Sequence, residues 1–582
     1  MTASAHLEAG APPVETPLAL RLIRRHGGHL PAVLVALALT FLILYPLASV
    51  VYGSFFGTAA KGVAVQSWAD ALRQPGLLEA LWNTVKVAAG VQIIGMPVAV
   101  GISWLLARTD IPGRGVFEFG FWILFFLPAL GVVNGWLLFF DPTYGLANSF
   151  LLRWGLVEAA PFDMYSYWGI VFAHLSTYAI AVKVMLLTPA FRNFDGALEE
   201  AARICGAGRV QTFFRIVVPA LLPAILIVFV MSLIRSFESF EIELFLGIPA
   251  NFTVYSTRIY TLMAQDPPEL QAAGILASSI LMVMLPLVVL QRWISVRRSY
   301  VVVTGRGARG PATLGWLRWP SCLAMVLALG FIGVLPLALL VLGSFMKLFG
   351  FFSLAEPWTT DHWHTLFADV TFSTALVNTL TIGLASALAA VLCYTIVAYC
   401  TVRGRSTALR GYLDLLSWLP ATVPGIILSL GFLTMVLNVG LLRPLYGTIG
   451  IIVLANFLAS ITLGTQIIKV AMLQIGSDIE EAGRVVGGSW LRTFRSILLP
   501  LALPAIAVMA VMVFAVSIRQ VGAIVLLSTG QTRPLSILQL EFLASGILGP
   551  AAVIGVILVA LSLVAGLIVR WIGLRYSVQE RS

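Results

Sequence analysis

The amino-acid sequence predicts an all-α integral membrane protein whose twelve transmembrane helices form two parallel six-helix repeats. Of the 582 residues, 59% are hydrophobic and only 11% are charged, which leaves too few polar side chains to cover a soluble protein of this length. The apolar residues come in uninterrupted runs that are long enough to cross a bilayer. Motifs of the first half also recur in the same order in the second half.

Twelve segments lack Asp, Glu, Lys and Arg, and each is close to or above the ~20 residues that a helix needs to cross the hydrocarbon core. Helices are predicted because a spanning segment must satisfy its backbone hydrogen bonds within lipid. A barrel would instead show short alternating strands, which the sequence lacks. The predicted spans are 26–60, 87–107, 119–140, 164–182, 216–234, 270–291, 319–346, 370–402, 415–442, 444–468, 496–518 and 542–569.

The spans fall into two sets of six, and these sets define the predicted domains. An even number of crossings returns the chain to its starting side, so the two copies are predicted to be parallel. The joint between them is basic and rich in glycine, as expected of a linker. The predicted domains are a cytoplasmic tail at 1–28, a first repeat at 29–295, a cytoplasmic linker at 296–318 and a second repeat at 319–575.

Basic residues outnumber acidic residues by 36 to 26, which gives a formal net charge of +10. Most of the Lys and Arg side chains fall in segments that the twelve-span arrangement places on one side of the membrane. This bias is the positive-inside rule, and it predicts that both termini are cytoplasmic. The basic charge is thereby explained by topology, so the lipid bilayer is a predicted partner and nucleic acid is not.

Short motifs recur at nearly constant offsets in the two halves. Trp68 precedes an Asn-Thr pair at 83–84 by 15 residues, and Trp363 precedes the same pair at 378–379 by the same distance. The tryptophans are predicted to anchor the outer interface or to help dock a partner. The asparagines are predicted to hydrogen-bond between helices near their outer ends.

A short charged segment lies between the fourth and fifth spans of each half. It reads EEAARICGAGRVQTFFRIVVP at 199–219 and EEAGRVVGGSWLRTFRSILLP at 480–500. The two glutamates fall in a first helical turn, where the macrodipole favours negative charge, and the following glycine predicts a bend or stop. We therefore predict cytoplasmic helices near 195–208 and 476–489. One such loop would be an ordinary topology anchor, whereas two matching copies indicate a function.

The duplicated segment resembles the EAA loop of the inner-membrane permeases of bacterial binding-protein-dependent ABC importers. The repeat extends this resemblance over most of the chain, so the sequence is similar to a fused permease in which one polypeptide replaces two subunits. Val218 stands in place of a leucine in the first copy, and Gly483 stands in place of an alanine in the second. The matching residues are Glu200, Ala201, Ala202, Gly206, Ile216 and Pro219, then Glu481, Ala482, Gly487, Ile497, Leu499 and Pro500.

The resemblance implies that each acidic helix is a coupling helix, which docks on a cytoplasmic ABC ATPase dimer. It also implies a periplasmic or extracytoplasmic substrate-binding protein and a location in the bacterial inner membrane. The chain itself is predicted to be no enzyme and to bind no cofactor, because none of its lysines stands in a Walker A loop; ATP is used by the partner. The implied ATPase contacts are Glu199, Glu200, Ala201, Ala202, Gly206, Glu480, Glu481, Ala482 and Gly487.

The segment SFESFEIELFLGIPANFTVYSTRIYTLM at 236–263 is similar to ferric-iron permeases, and this similarity predicts ferric iron as the cargo. Thiamine, polyamines and aminophosphonates are the alternatives. Fe³⁺ is a hard cation that prefers oxygen ligands, and Glu238 and Glu241 share a helix face near the outer interface. Arg519 and Arg235 are predicted to line the pathway together with these two glutamates, and Arg235 is spaced to pair with Glu238. The alternative is that all four are ordinary solvated charges at the interface. No resident metal site is predicted.

Two other classes of protein fit the sequence less well. An ion-coupled secondary transporter needs coupling carboxylates near the bilayer midplane, and none is identified in the central portions of the spans. It would also leave the duplicated acidic helix unexplained. A membrane enzyme needs a nucleophile or a metal cluster, and the six histidines show no ligand spacing.

Overall fold

The computed structural model of the protein describes residues 30–56, 68–69, 73, 75–297, 313–404 and 406–579. Within these ranges the chain is mostly helical, and an isolated strand-like bridge joins Met346 and Trp358. Ten described helices are long and apolar enough to cross a membrane, and two bent pairs raise the number to twelve. The predicted tail at 1–28 and most of the predicted linker lie outside the described residues.

The described part of the first half includes the bent pair α3 and α4 and the acidic helix α7. Its helices are α1 (Leu30–Phe56), α2 (Leu77–Arg108), α3 (Arg114–Phe126), α4 (Ala129–Phe140), α5 (Leu146–Arg153), α6 (Tyr167–Arg192), α7 (Gly196–Ile204), α8 (Val210–Phe237), α9 (Tyr255–Met263) and α10 (Leu270–Arg297).

The second half repeats the order of α1 to α10, with the short helix α12 before its second span and a 3₁₀ turn at Gly440–Leu445 in the position of α5. The order confirms the predicted all-α membrane fold of two parallel repeats. The helices are α11 (Gly315–Ser344), α12 (Asp361–Ala368), α13 (Val370–Arg403), α14 (Thr407–Thr422), α15 (Gly425–Asn438), α16 (Ile449–Gln474), α17 (Ser477–Val485), α18 (Leu491–Arg519), α19 (Leu535–Ala544) and α20 (Leu548–Gln579).

The third span of each half is bent, whereas the sequence predicted one continuous segment. The axes of α3 and α4 differ by 102°, and those of α14 and α15 differ by 109°. Each break stands directly before a proline, Pro128 or Pro424, and the preceding residues Leu127 and Val423 have extended backbone angles. Proline disfavours helical geometry at the residue before it, and here that residue is extended, so the apolar run is divided into two helices. Other prolines, such as Pro97 and Pro286, lie inside continuous helices.

The first helix of each half packs against the other half. α1 lies on α10 of its own half and on α15 of the second half, while α11 lies on α20 and on α4 of the first half. Matching Pro-Gly contacts bring the backbones together. A Cβ added at Gly135 would lie 2.0 Å from the carbonyl oxygen of Pro336, and one added at Gly431 would lie 3.1 Å from that of Pro46. The two repeats are therefore interlocked.

Both acidic helices lie on the same side of the bundle. The chain enters α11 beside the end of α2, where the Leu314 N–H donates to the Asp110 carboxylate over 2.7 Å. α11 then crosses the bundle and α13 returns, so the end of α13 lies on the side where α2 ends. α7 contacts the end of α2 through Arg108, and α17 contacts the end of α13 through Arg403.

Candidate functional site

The two acidic helices begin and end at equivalent positions of the repeat. The Asp195 carboxylate accepts a hydrogen bond from the Ala197 N–H, 2.9 Å away, at the start of α7. After the last turn, Gly206 has a φ of +83° and Gly487 a φ of +87°. This left-handed conformation favours glycine, and it closes each helix with a Schellman-type hydrogen bond such as that from the Gly488 N–H. The predicted stop at both glycines is present.

The first glutamate of α7 faces the protein rather than the solvent. Arg108, at the end of α2, donates to both Glu199 carboxylate oxygens over 3.2 and 3.1 Å. Its guanidinium also donates to the Phe194 carbonyl oxygen and lies over the Phe194 ring. The side chains of Arg108 and Glu199 are only 7% and 14% exposed. The two-pronged geometry is the strong form of an arginine–carboxylate pair.

The second half repeats this pairing with an additional donor. Glu480 is buried at 5% exposure; its carboxylate accepts a hydrogen bond from the Tyr399 hydroxyl at 2.9 Å and lies 3.6 Å from the Arg403 Nε. Arg403 also donates to the Ile475 carbonyl oxygen at 2.5 Å. Arg108 and Arg403 were not identified from the sequence. Both follow the Asn of the repeated Asn-Thr pair by 25 residues, and this equal spacing was an available signal.

The second glutamate of each helix is exposed. Glu200 and Glu481 both face solvent, as do Ala201 and Ala482. Next to them, Ile204 and Val485 occupy equivalent positions and are 87% and 86% exposed. Each acidic helix therefore presents an exposed glutamate and large apolar side chains outwards, Leu198 and Ile204 in α7 and Ile479 and Val485 in α17.

The position after these alanines faces inwards and differs between the halves. Ala202 is buried against its own half. Gly483 takes the equivalent position in α17, where a Cβ would lie 2.9 Å from the Ile497 side chain and 3.1 Å from that of Thr493. The tighter packing of α17 on the start of α18 explains the glycine at the place where the sequence pattern has alanine.

The four predicted pathway residues come together near the C-terminal ends of α8 and α18, on the side of the bundle away from the acidic helices. Arg235 and Glu238 form the predicted ion pair at 2.7 Å. Arg519 lies within electrostatic range of Glu241 and of Arg235, and all four charges lie within electrostatic range of Tyr178 of α6. Arg519 also donates to the Phe125 and Leu127 carbonyl oxygens at the break between α3 and α4. The second half thereby contacts the bend of the first half.

A small cleft between the halves is lined by one of these charges from each half. Glu241 and Arg519 line it together with Ser536 and Gln539. Gln539 is fully buried; its amide nitrogen donates to the Ala551 carbonyl oxygen, and its Oε1 has no hydrogen-bond partner within the described part of the chain. The cleft thus combines a carboxylate, a guanidinium and a free amide oxygen.

A buried polar network next to the cluster was missed from the sequence. His174 of α6 contacts Glu243 over 2.7 Å, and Ser239 donates to the same carboxylate. The histidine is 3% and the glutamate 1% exposed. The network fixes the segment after α8 to α6, and only the folded structure brings these distant positions together.

The two halves of the chain match the same family. The family model described as "Binding-protein-dependent transport system inner membrane component" matches residues 98–300 and 395–578, which together make up more than half of the chain. The chain belongs to this family of transport permeases. Each match contains one acidic helix of the permease and the arginine that pairs with it.

Curated relatives support the same assignment. The permease is 30% identical to the ferric transport system permease protein FbpB of Actinobacillus pleuropneumoniae, over 70% of this chain and 59% of that protein. The match therefore spans less than two thirds of that relative's length. The permease is also 23% identical to the Fe(3+)-transport system permease protein FbpB 2 of Haemophilus influenzae, over 82% of this chain and 87% of that one.

A solved structure shows a looser similarity. It is a crystal structure of a bacterial ABC transporter involved in the import of the acidic polysaccharide alginate. It has 20% sequence identity and a TM-score of 0.41, and the match covers 48% of this chain and 99% of that one.

Proposed function

We propose that this permease forms the translocation pathway of an ATP-driven importer, with α7 and α17 docked on a separate cytoplasmic ATPase dimer. The supporting observation is the duplicated pair of exposed acidic faces on one side of the bundle, with Glu200 and Glu481 at equivalent positions. The side with the acidic helices is then the cytoplasmic side of the inner membrane, with both termini there. A substrate-binding protein delivers cargo to the opposite side.

The chemistry of the acidic helices defines the surface they would dock on. Each helix offers a carboxylate beside a large exposed aliphatic side chain, Ile204 in α7 and Val485 in α17. A complementary groove combines a basic side chain with an apolar floor, because apolar contact supplies affinity and charge pairing sets the register. Hydrolysis of ATP belongs to the partner. ATP binding drives transport only if it favours one of two states of the bundle.

The proposed cargo is ferric iron. Two relatives carry ferric transport in their names, and the cluster between the halves offers the carboxylates of Glu238 and Glu241 to a passing hard cation. Arg235 and Arg519 compensate this negative charge, so the cluster would hold a cation only transiently. Thiamine, polyamines and aminophosphonates are the other outcomes of the cargo experiment.

The docking proposal is tested by reversing the exposed charges. Glu200→Arg combined with Glu481→Arg should abolish ATP-dependent uptake while the protein remains in the membrane at its normal abundance. Glu158→Arg is the matched control, because Glu158 is an exposed glutamate in the loop between α5 and α6 on the opposite side. Normal uptake by the double variant would refute the docking role.

The cargo is tested separately by uptake of radiolabelled Fe³⁺, thiamine and a polyamine. Cells that express the permease with its ATPase and binding protein should accumulate iron alone. Accumulation of another compound without iron would reject ferric iron as cargo and would leave the importer mechanism intact.

A further inference from the structure

The repeated Asn-Thr pair holds the far end of the second span in each half. In the first half, Asn83 of α2 donates to the Thr253 carbonyl oxygen at 3.1 Å, and Thr84 accepts a hydrogen bond from the Tyr255 N–H at 3.0 Å. Both contacts fix the segment between α8 and α9. This segment follows Arg235 and contains Glu238 and Glu241 of the pathway cluster, and we call it the first gate segment (residues 238–255).

The second half makes the same contacts. Asn378 of α13 donates to the carbonyl oxygens of Gln531 and Arg533 over 2.8 and 3.2 Å. Thr379 accepts a hydrogen bond from the Leu535 N–H at 2.7 Å. The segment held here, residues 520–535, joins α18 to α19 and is the second gate segment.

The near end of the same helices carries the arginines that hold the acidic helices. From Asn83 to Arg108, and from Asn378 to Arg403, the distance is 25 residues in both halves. At 1.5 Å rise per residue this is about 37 Å, and 25 residues are close to seven turns of 3.6. The asparagine and the arginine therefore lie on nearly the same face at opposite ends of one helix.

Aromatic pairs support the near end of each helix. The ring of Trp104 in α2 lies 5.2 Å from that of Phe213 at the start of α8. The equivalent residues of the second half, Tyr399 in α13 and Phe494 at the start of α18, have the same ring separation of 5.2 Å. The near end of the second span is thus packed on the helix that follows the acidic helix, and the arginine adds a directional contact to the acidic helix itself.

We propose that α2 and α13 are the transmission elements of the permease, and that Arg108 and Arg403 are positioning residues that link each acidic helix to its gate segment. The first glutamate of each pair serves this internal link, and the second stays free for the partner. The inference rests on the proposed function, because it assumes that an ATPase moves the acidic helices.

Stiffness is the physical reason for assigning this role to α2 and α13. A docked helix can shift the far side only through contacts that hold their geometry. In the first half the contact is a two-pronged ion pair with low exposure, which holds its geometry better than a single exposed pair. In the second half it is the hydrogen bond from the Tyr399 hydroxyl to the buried Glu480, with the Arg403 Nε 3.6 Å from that carboxylate. Without the arginine, α7 would remain joined to the bundle only by the short connections to α6 and α8 and by packing of its buried face. Motion of α7 would then displace only its neighbouring connections and would not move α2.

The test uses the complete transporter with its ATPase and binding protein in vesicles. The variants are Arg108→Glu, Glu199→Arg and the swapped double variant, with Arg114→Glu as matched control because Arg114 is an exposed arginine near the same end. A fluorophore on Asn251→Cys, in a background without native cysteines, reports on the first gate segment. Uptake, ATP hydrolysis and the ATP-induced fluorescence change are measured together.

Each single variant should lose the ATP-induced change at residue 251, and its uptake should fall roughly 5- to 150-fold, the usual range of allosteric coupling. ATP hydrolysis should continue. The swap should recover at least about fivefold of the uptake, because opposite charges again face each other, and the control should behave as wild type. Membrane abundance and thermal unfolding of every variant identify a folding defect. A single variant with wild-type abundance and unfolding temperature that still loses the fluorescence change separates transmission from a merely structural role.

The proposal is overturned if the single variants keep the fluorescence change and uptake, or if the swapped pair transports no better than the single variants. Absence of ATP-dependent uptake in the wild-type permease would instead reject the proposed function. The two failures are therefore distinguishable.

Discussion

At the scale of residues, two adjacent glutamates in the same motif have different surroundings. Glu199 and Glu480 are held inside by arginines, whereas Glu200 and Glu481 face solvent. Adjacent positions on a helix point about 100° apart, so one side chain of the pair turns to the protein when the other turns away. The sequence showed that both glutamates were duplicated, but it could not show which of them had an internal partner.

The hydroxyl of Tyr399 is predicted to stabilise the second acidic helix. Tyr399→Phe leaves the buried Glu480 carboxylate with one donor fewer, and such a loss costs about 1–3 kcal/mol. The thermal unfolding temperature of the detergent-solubilised permease should fall. Tyr412→Phe is the control, because that hydroxyl meets Thr40 at an exposed position. Equal unfolding temperatures for the two variants would contradict the role of the Tyr399 hydroxyl.

At the scale of elements, the sequence predicted most helices and missed their breaks. Charge-free runs identified the spans, because charged side chains are rare within membrane-spanning helices. The same criterion could not identify the bends at Pro128 and Pro424, since a proline is apolar and leaves a hydropathy run uninterrupted. It also ended the fourth span at 182, whereas α6 continues through a fully buried Lys183 to Arg192. Tertiary packing, which a hydropathy run does not contain, decides such positions.

The stop of α17 is predicted to depend on Gly487. Alanine at this left-handed position costs about 1–2 kcal/mol and should lower both the unfolding temperature and uptake. Gly411→Ala is the control, because Gly411 is an exposed residue within α14 with open space around its Cα. There alanine should raise stability by up to about 1 kcal/mol. Shifts of the same sign in the two variants would refute the assigned helix stop.

At the scale of the whole molecule, the repeats form one interlocked body rather than two adjacent bundles. The internal repeat in the sequence predicted parallel halves, but it did not predict that α1 and α11 pack on the opposite half. The packing of α1 and α11 on the opposite half depends on close backbone contacts at glycines, and a hydropathy pattern does not reveal such contacts. The pathway cluster also combines residues of both halves, because Glu241 comes from one half and Arg519 from the other.

The interlock is predicted to fail when a side chain is added at its contact. Gly135→Ala would place a carbon against the Pro336 carbonyl oxygen, and overpacking of this kind costs about 1–3 kcal/mol. The unfolding temperature should fall. In contrast, Gly101→Ala in α2, where nothing lies within 4 Å of the added carbon, should be neutral or stabilising. An unchanged unfolding temperature for Gly135→Ala would show that the halves do not meet there.

The central claim is that both acidic helices lie on the cytoplasmic side, within reach of an ATPase. It is tested most directly by placing one cysteine at residue 200 or 481 in a cysteine-free permease and adding a membrane-impermeant maleimide. We expect both sites to react in inside-out vesicles stripped of the ATPase, to be protected when the ATPase is bound, and to stay unmodified in right-side-out vesicles. Reaction of either site from the outer face, or equal reaction with and without the ATPase, would contradict the account.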